Sequence, residues 1–432
     1  MTDRTHNPAA ASWVESANDP STDFPLQNLP LGVFRAPGGK DRIGVAIGDR
    51  VLDLAACDES GYLNDLAAPT RRALHAPVLN SLIGEGRAAM GALRLTLFDL
   101  LAAGGRRSAE SLLMPMAECE MQLPVAIGDY TDFYASRHHA ANVGALFRPD
   151  NPLLPNYTWI PIGYHGRSSS IVVSGTDVVR PSGQTRPDQA VPPAFGPSRS
   201  LDYEVEIGAV IGTGNALGEA VPLGHAEEHL AGLCLVNDWS ARDVQAWEYQ
   251  PLGPFLAKDF ATTLSPWLIT IDALSPFRVP RAARPDGDPQ PLSYLDSPAD
   301  RESGAFDIVV EAWIRTAHMT QKGEPAVRLS RGAFRDMYWT IGQMVAHHTS
   351  NGCNLRPGDL LASGTVSGPT RAARGCLLEI TSRGKEPVIL PGGESRSFLA
   401  DGDELTLRAW CEREGARRIG FGECRGVVKP AR

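Results

Sequence analysis

Between residues 200 and 210 the chain reads SLDYEVEIGAV, where Leu201, Tyr203, Val205, Ile207 and Ala209 alternate with Asp202, Glu204 and Glu206. A period of two with β-branched and aromatic residues on its apolar side specifies an extended strand with one buried face. Side chains two apart on a strand point the same way, so Glu204 stands beside Glu206, where like charges repel. That face is either wet or covered by something positive.

The rest of the chain shares this texture. LGVFRAPGGKDRIGVAIGDRVLDL, ending at Leu54, gives three short β runs broken by Gly-Gly and Gly-Asp turns. Between Pro69 and Met116, Ala, Leu and Arg fall at helical spacing, as in MGALRLTLFDLLAAG, which predicts helices covering that β unit. Beyond Ile127, short alternating segments return without internal repeat. The exception is GAFRDMYWTIGQMVAHHT, where Phe334, Met337, Ile341, Met344, Val345 and His348 form a helical stripe after a Ser330 cap. These readings predict a mainly β (α+β) protein: an arm over residues 1–22 that is poorly ordered, a small domain with covering helices over 23–123 and a larger domain over 124–432.

A chain of 432 residues with 43% apolar content can bury sizeable cores. Its formal charge of -9 weighs against a nucleic-acid or anionic-membrane partner. No run approaches the roughly 18 apolar residues of a membrane span. Seven scattered cysteines without a CxxC pair point to a reducing, cytoplasmic setting.

Other carboxylates give Glu204 and Glu206 possible company. Asp238 follows the apolar run LAGLCLV, and Asp132 precedes the pair His138 and His139. Hard cations such as Mg²⁺ and Ca²⁺ take oxygen ligands, and Asp132, Glu204, Glu206 and Asp238 would suit one, although spacing does not bring them together. If Asp132 to His139 were one helix, both would share a face about 10 Å apart. As a bare dipeptide, His138 and His139 read first as a surface pair. A rival, HAEEH over 225–229, fits the HxxEH zinc pattern, with Glu228 activating water between His225 and His229.

Longer tracts add a resemblance. GDYTDFYASRHHAANVGALFR, LLPNYTWIPIGYHGRSSSIVVSGT, LDYEVEIG, NDWSARDVQAWEYQPLGPFLAKDFATTLSPW and NGCNLRPGDLLASGTVSG resemble, in one order, the fumarylacetoacetase family from about Asp23 onward. The resemblance implies a small N-terminal SH3-like β domain, a large C-terminal mixed β-roll and a homodimer. It implies metal-dependent hydrolysis of the carbon-carbon bond of fumarylacetoacetate, a small-molecule substrate of tyrosine breakdown, with an acylpyruvate-type substrate as the alternative. On this resemblance Asp132, Glu204, Glu206 and Asp238 are ligands of Mg²⁺ or Ca²⁺, with Lys258 and Thr262 close around them. His139 is the general base and Glu379 orients it. Arg242, Gln245 and Lys258 stabilise an oxyanion, while Tyr134, Arg148, Tyr164, Gln245, Tyr249 and Thr365 contact substrate. His225 has no role in that family.

Overall fold

The computed structural model describes residues 2–188 and 190–432. Strands Leu31–Arg35, Asp41–Ile47 and Arg50–Asp53 run antiparallel in chain order, with Val45 between Leu31 and Leu52. The turn before the third strand needs Gly48, at φ +58°, because a Cβ there would lie 2.6 Å from Ala17 N. Helix Arg87–Leu101 covers this unit with Met90, Leu93, Leu97 and Leu101, which recur at three- and four-residue intervals and are buried.

This small unit is sewn into the larger one. Leu31 pairs with Leu268, which makes the N-terminal strands part of one sheet of thirteen strands among the described residues. The sheet continues through Trp267–Thr270, Leu230–Asp238, Val205–Ile211, Leu360–Ala362, Tyr130–Phe133 and Gly163–Gly166. A second sheet of five strands is built on Val309–Arg315, Glu404–Cys411 and Ile419–Lys429. One core runs between them, with Trp239, Trp339, Tyr203 and Phe421 fully buried. Mixed sheets with few helices are the mainly β (α+β) class expected.

Four local expectations are corrected. Residues 2–22 pack rather than stray: Trp13 Nε1 donates to Leu100 O at 2.9 Å, Ser12 Oγ donates to Leu101 O at 2.6 Å, and His6 Nε2 meets Asp272 O at 2.7 Å. The segment folds as two short 3₁₀ turns, the first capped by Asp3, too brief to leave a periodic signal. The helix expected from Ser330 starts at Ile341, where Thr340 and Gln343 cap reciprocally. Ser330 lies in strand Val327–Ala333.

The other two corrections concern the site. The strand read over SLDYEVEIGAV is interrupted between Leu201–Asp202 and Val205–Ile211. Side chains take the backbone donors there: Asp202 Oδ1 accepts from Tyr203 N at 2.9 Å, and Asn237 Oδ1 from Glu204 N at 3.1 Å. Glu204 therefore does not follow the ladder that holds Glu206. Asp132 and His139 do not share a helix either, since Asp132 is on strand Tyr130–Phe133 and His139 on helix Arg137–Phe147, capped by Ser136.

Candidate active site

Three strands bring three carboxylates together. Asp132 is aligned by parallel pairing with Ala362, Glu206 sits opposite Val236, and Asp238 ends the strand next to Glu206's own. One oxygen from each of Asp132, Glu206 and Asp238 lies within 4.8 Å of the others. All three are at most 4% exposed, so water cannot screen them. Asp132 Oδ1 and both oxygens of Glu206 have no hydrogen-bond partner among the described residues.

Such a cluster is costly unless something positive completes it. Burial, then neighbouring carboxylates, push Asp132 and Glu206 well above the ordinary carboxylate range. The orphaned oxygens fit a cation, and an oxygen-only donor set suits a hard divalent ion.

Glu204 faces protein cations instead. One oxygen meets Lys258 Nζ, Arg242 Nη1 at 2.9 Å and Ser240 Oγ at 2.5 Å, while Thr365 Oγ1 donates to the other. Burial would raise Glu204, but Arg242 and Lys258 hold it well below the usual range. Lys258 Nζ also donates to Asp238 Oδ2 at 2.8 Å, Tyr164 OH to the same oxygen at 3.0 Å, and Thr262 Oγ1 to Asp238 Oδ1 at 2.6 Å. Lys258 thus links Glu204 to Asp238 at the rim of the trio, while Arg242 holds Glu204 from the other side.

Beside this centre lies a buried dyad. His139 Nδ1 meets Glu379 Oε2 at 2.6 Å, and Tyr134 stands edge-on to the imidazole at 5.2 Å between ring centres. Asn142 Nδ2 and Ser367 Oγ each donate to Glu379 at 2.8 Å, and Cys376 Sγ at 3.2 Å. Burial would raise Glu379, yet His139 and these donors hold it at about 2. An ionised Glu379 fixes a proton on Nδ1 and leaves Nε2 able to accept one. The pair can activate water next to a cation-ready carboxylate cluster.

The remaining expected residues divide. Gln245 Oε1 accepts from Arg242 Nη1 at 3.1 Å and so joins the cationic side. Arg148 follows helix Arg137–Phe147, half-buried, with Nη2 donating to Pro152 O at 3.4 Å. Tyr249 caps helix Arg242–Glu248, also half-buried. Among the described residues, neither Arg148 nor Tyr249 is hydrogen-bonded to the carboxylates. Unforeseen members are Asp202, Ser240, Asn142, Ser367 and Cys376. Asn142 was findable three residues after His139 on one helix face, whereas Ser367 and Cys376 arrive by chain folding alone.

The HAEEH motif forms no comparable group. It lies in a 3₁₀ segment, Leu223–His229, where three residues per turn do not align positions four apart. His225 Nδ1 pairs with Glu228 at 3.1 Å on the surface, and His229 Nδ1 meets Thr213 O at 2.7 Å.

Known proteins share the architecture and the sequence. A fumarylacetoacetate hydrolase from Exiguobacterium antarcticum, 18% identical, superposes with a TM-score of 0.52 over 94% of this chain and all of its own. A putative HpcE protein from Mycobacterium smegmatis, 22% identical, gives 0.52 over 93% and 99%. These define the fold class. Residues 27–124 match the profile "Fumarylacetoacetase N-terminal", and 129–429 match "Fumarylacetoacetate (FAA) hydrolase C-terminal". Fumarylacetoacetases of Oryza sativa (47% identical, 97% of each chain) and Homo sapiens (46%, 97% of this chain and 99% of the other) align almost throughout. The chain belongs to the fumarylacetoacetase family. That coverage leaves fewer unmatched residues than the 22 assigned to an arm, in keeping with its packing.

Proposed function

We propose that this chain hydrolyses the carbon-carbon bond of 4-fumarylacetoacetate to fumarate and acetoacetate, the last step of tyrosine breakdown, at the centre formed by His139, Glu379 and the buried carboxylates. The observation that carries the reading is the nearly full-length match, at 46 to 47% identity, to relatives named fumarylacetoacetase in plants and mammals.

His139 Nε2 takes a proton from water as the oxygen attacks the carbonyl on the fumaryl side. Glu379 holds the tautomer and stabilises the imidazolium. Arg242 and Lys258, with the Gln245 amide, stabilise the oxyanion that develops. When the bond breaks, the electron pair leaves as an enolate, and the proton held by His139 returns to the acetoacetate carbon. Asp132, Glu206 and Asp238, with Glu204 as fourth carboxylate, would hold a divalent cation, Mg²⁺ or Ca²⁺, which would supply Lewis-acid stabilisation of the developing enolate charge. Thr262 orients Asp238. Tyr134, Tyr164, Tyr249 and Thr365 line the substrate, and Arg148 pairs with a terminal carboxylate through its planar fork.

Seven free cysteines support a reducing, cytoplasmic setting, and among the described residues no helix is long and apolar enough to cross a membrane. The chain works as a homodimer, a reading supported by exposed Leu252, Phe255, Leu256 and Phe195 beside helix Arg242–Glu248. Light scattering on the eluting protein measures its mass. Turnover of fumarylacetoacetate against acylpyruvates tests the substrate: the first is preferred, and a preference for acylpyruvates would overturn the assignment.

A further inference from the structure

Asp202 is fully buried and sits between the two halves of the site. Its Oδ2 accepts from Arg242 Nε at 2.9 Å and from Leu378 N at 2.9 Å. Its Oδ1 accepts from Leu377 N at 2.8 Å and from Tyr203 N at 2.9 Å. Leu377 and Leu378 open the short helix Leu377–Ile380, whose preceding residue, Cys376, makes no side-chain cap bond. Asp202 therefore caps, from far away in sequence, the turn that carries Glu379.

The other end of the chain of contacts is equally defined. Arg242 uses Nε for Asp202 and Nη1 for Glu204 at 2.9 Å and Gln245 at 3.1 Å. From Glu204 the path runs through Arg242 and Asp202 to the two backbone donors, then to Glu379 and His139. A carboxylate is the side chain this place requires. Asparagine has one acceptor oxygen, and its NH₂ would face N–H donors. Lysine at 242 would keep the charge but lose the fork that reaches two carboxylates at once.

We propose that Asp202 is a positioning residue that holds the oxyanion-stabilising Arg242 in register with the His139–Glu379 dyad. It touches no reacting atom and acts through both partners, as groups supporting an active site do. The assignment rests on the function proposed above.

The test uses Asp202→Asn in the full-length, metal-loaded protein, with folding checked by melting temperature. Turnover falls about 10- to 100-fold, while KM for fumarylacetoacetate and Mg²⁺ affinity stay within about twofold. Asp202→Glu, which keeps the charge but displaces the acceptor oxygens, gives a loss in the same direction and serves if the first variant does not fold. A proton-NMR readout is independent of turnover: the downfield Nδ1–H signal of His139, identified by its loss in Glu379→Gln, shifts in Asp202→Asn. An active wild type, with the Asp202 variant unimpaired and the signal unmoved, would overturn the role of Asp202 and leave the function standing. A wild type inert toward the substrate, with the signal still moved by Asp202→Asn, would overturn the function and keep the positioning role.

Discussion

Replacing Glu206 by Gln separates the cost of the carboxylate cluster from its use. Glu206 has an oxygen within 4.8 Å of one on both Asp132 and Asp238. At that distance two unit charges repel by roughly 3 kcal/mol at an effective dielectric near 20. Metal-free protein avoids part of this by binding protons, which is why burial and neighbours push Asp132 and Glu206 up. The folded state then holds more protons than the unfolded one, so metal-free stability falls as pH rises past the ordinary glutamate value of 4.5. Glu206→Gln removes one charge at nearly constant shape. The metal-free variant should therefore melt above metal-free wild type at pH 8, with the gap narrowing toward pH 5. Cation reverses the order. At about one hundred times its Kd, Mg²⁺ adds about 2.7 kcal/mol to the wild type. For 432 residues this corresponds to about 3 °C, taking an unfolding entropy near 2.1 cal/mol/K per residue. The variant should show little of this rise. Scanning calorimetry of both proteins with chelator and with Mg²⁺, at both pH values, measures all the melting temperatures needed. An undiminished metal-induced rise in Glu206→Gln would refute the assignment of the trio.

Other outcomes follow from the same geometry. His139→Ala should lower turnover by about 10²- to 10⁴-fold while keeping the metal-induced rise in melting temperature; unchanged turnover would remove His139 as base. Glu379 is held at about 2 against an ordinary 4.5, which contributes on the order of 3 kcal/mol at neutral pH. That contribution is present above pH 4.5 and lost as pH falls toward 2, so the stability advantage of wild type over Glu379→Gln should shrink across this window in acid denaturation. His225→Ala should leave turnover unchanged and stability within about 0.5 kcal/mol, and lost activity would revive the zinc motif.

Parts of this site were legible because they obey a period. The apolar run before Asp238 marks a central strand, and the alternation around Glu206 marks its neighbour, so two of the three clustered carboxylates could be placed on strands by pattern. The break at Tyr203 and Glu204 could not, because Asp202 and Asn237 satisfy the backbone through side chains, which alternation does not encode. Convergence was equally hidden. Glu379 reaches His139 from 240 positions away, and a single sequence carries no signal for such a contact outside the family resemblance. One miss was avoidable: Thr340-x-x-Gln343 is a readable capping box, yet the apolar stripe drew the helix start back to Ser330. The opposite error fell on residues 2–22, expected as a loose arm, where Ser12 and Trp13 bond the end of helix Arg87–Leu101 through contacts almost ninety positions apart that no local pattern encodes.

The most direct test strips the purified protein of metal, adds fumarylacetoacetate and follows its ultraviolet absorbance while fumarate and acetoacetate are quantified, before and after Mg²⁺ or Ca²⁺ is restored. Negligible turnover is expected without cation, and equimolar products once it is restored. Substrate left intact by the metal-loaded protein, or full turnover in the stripped one, would overturn the metal-dependent hydrolysis proposed for this site.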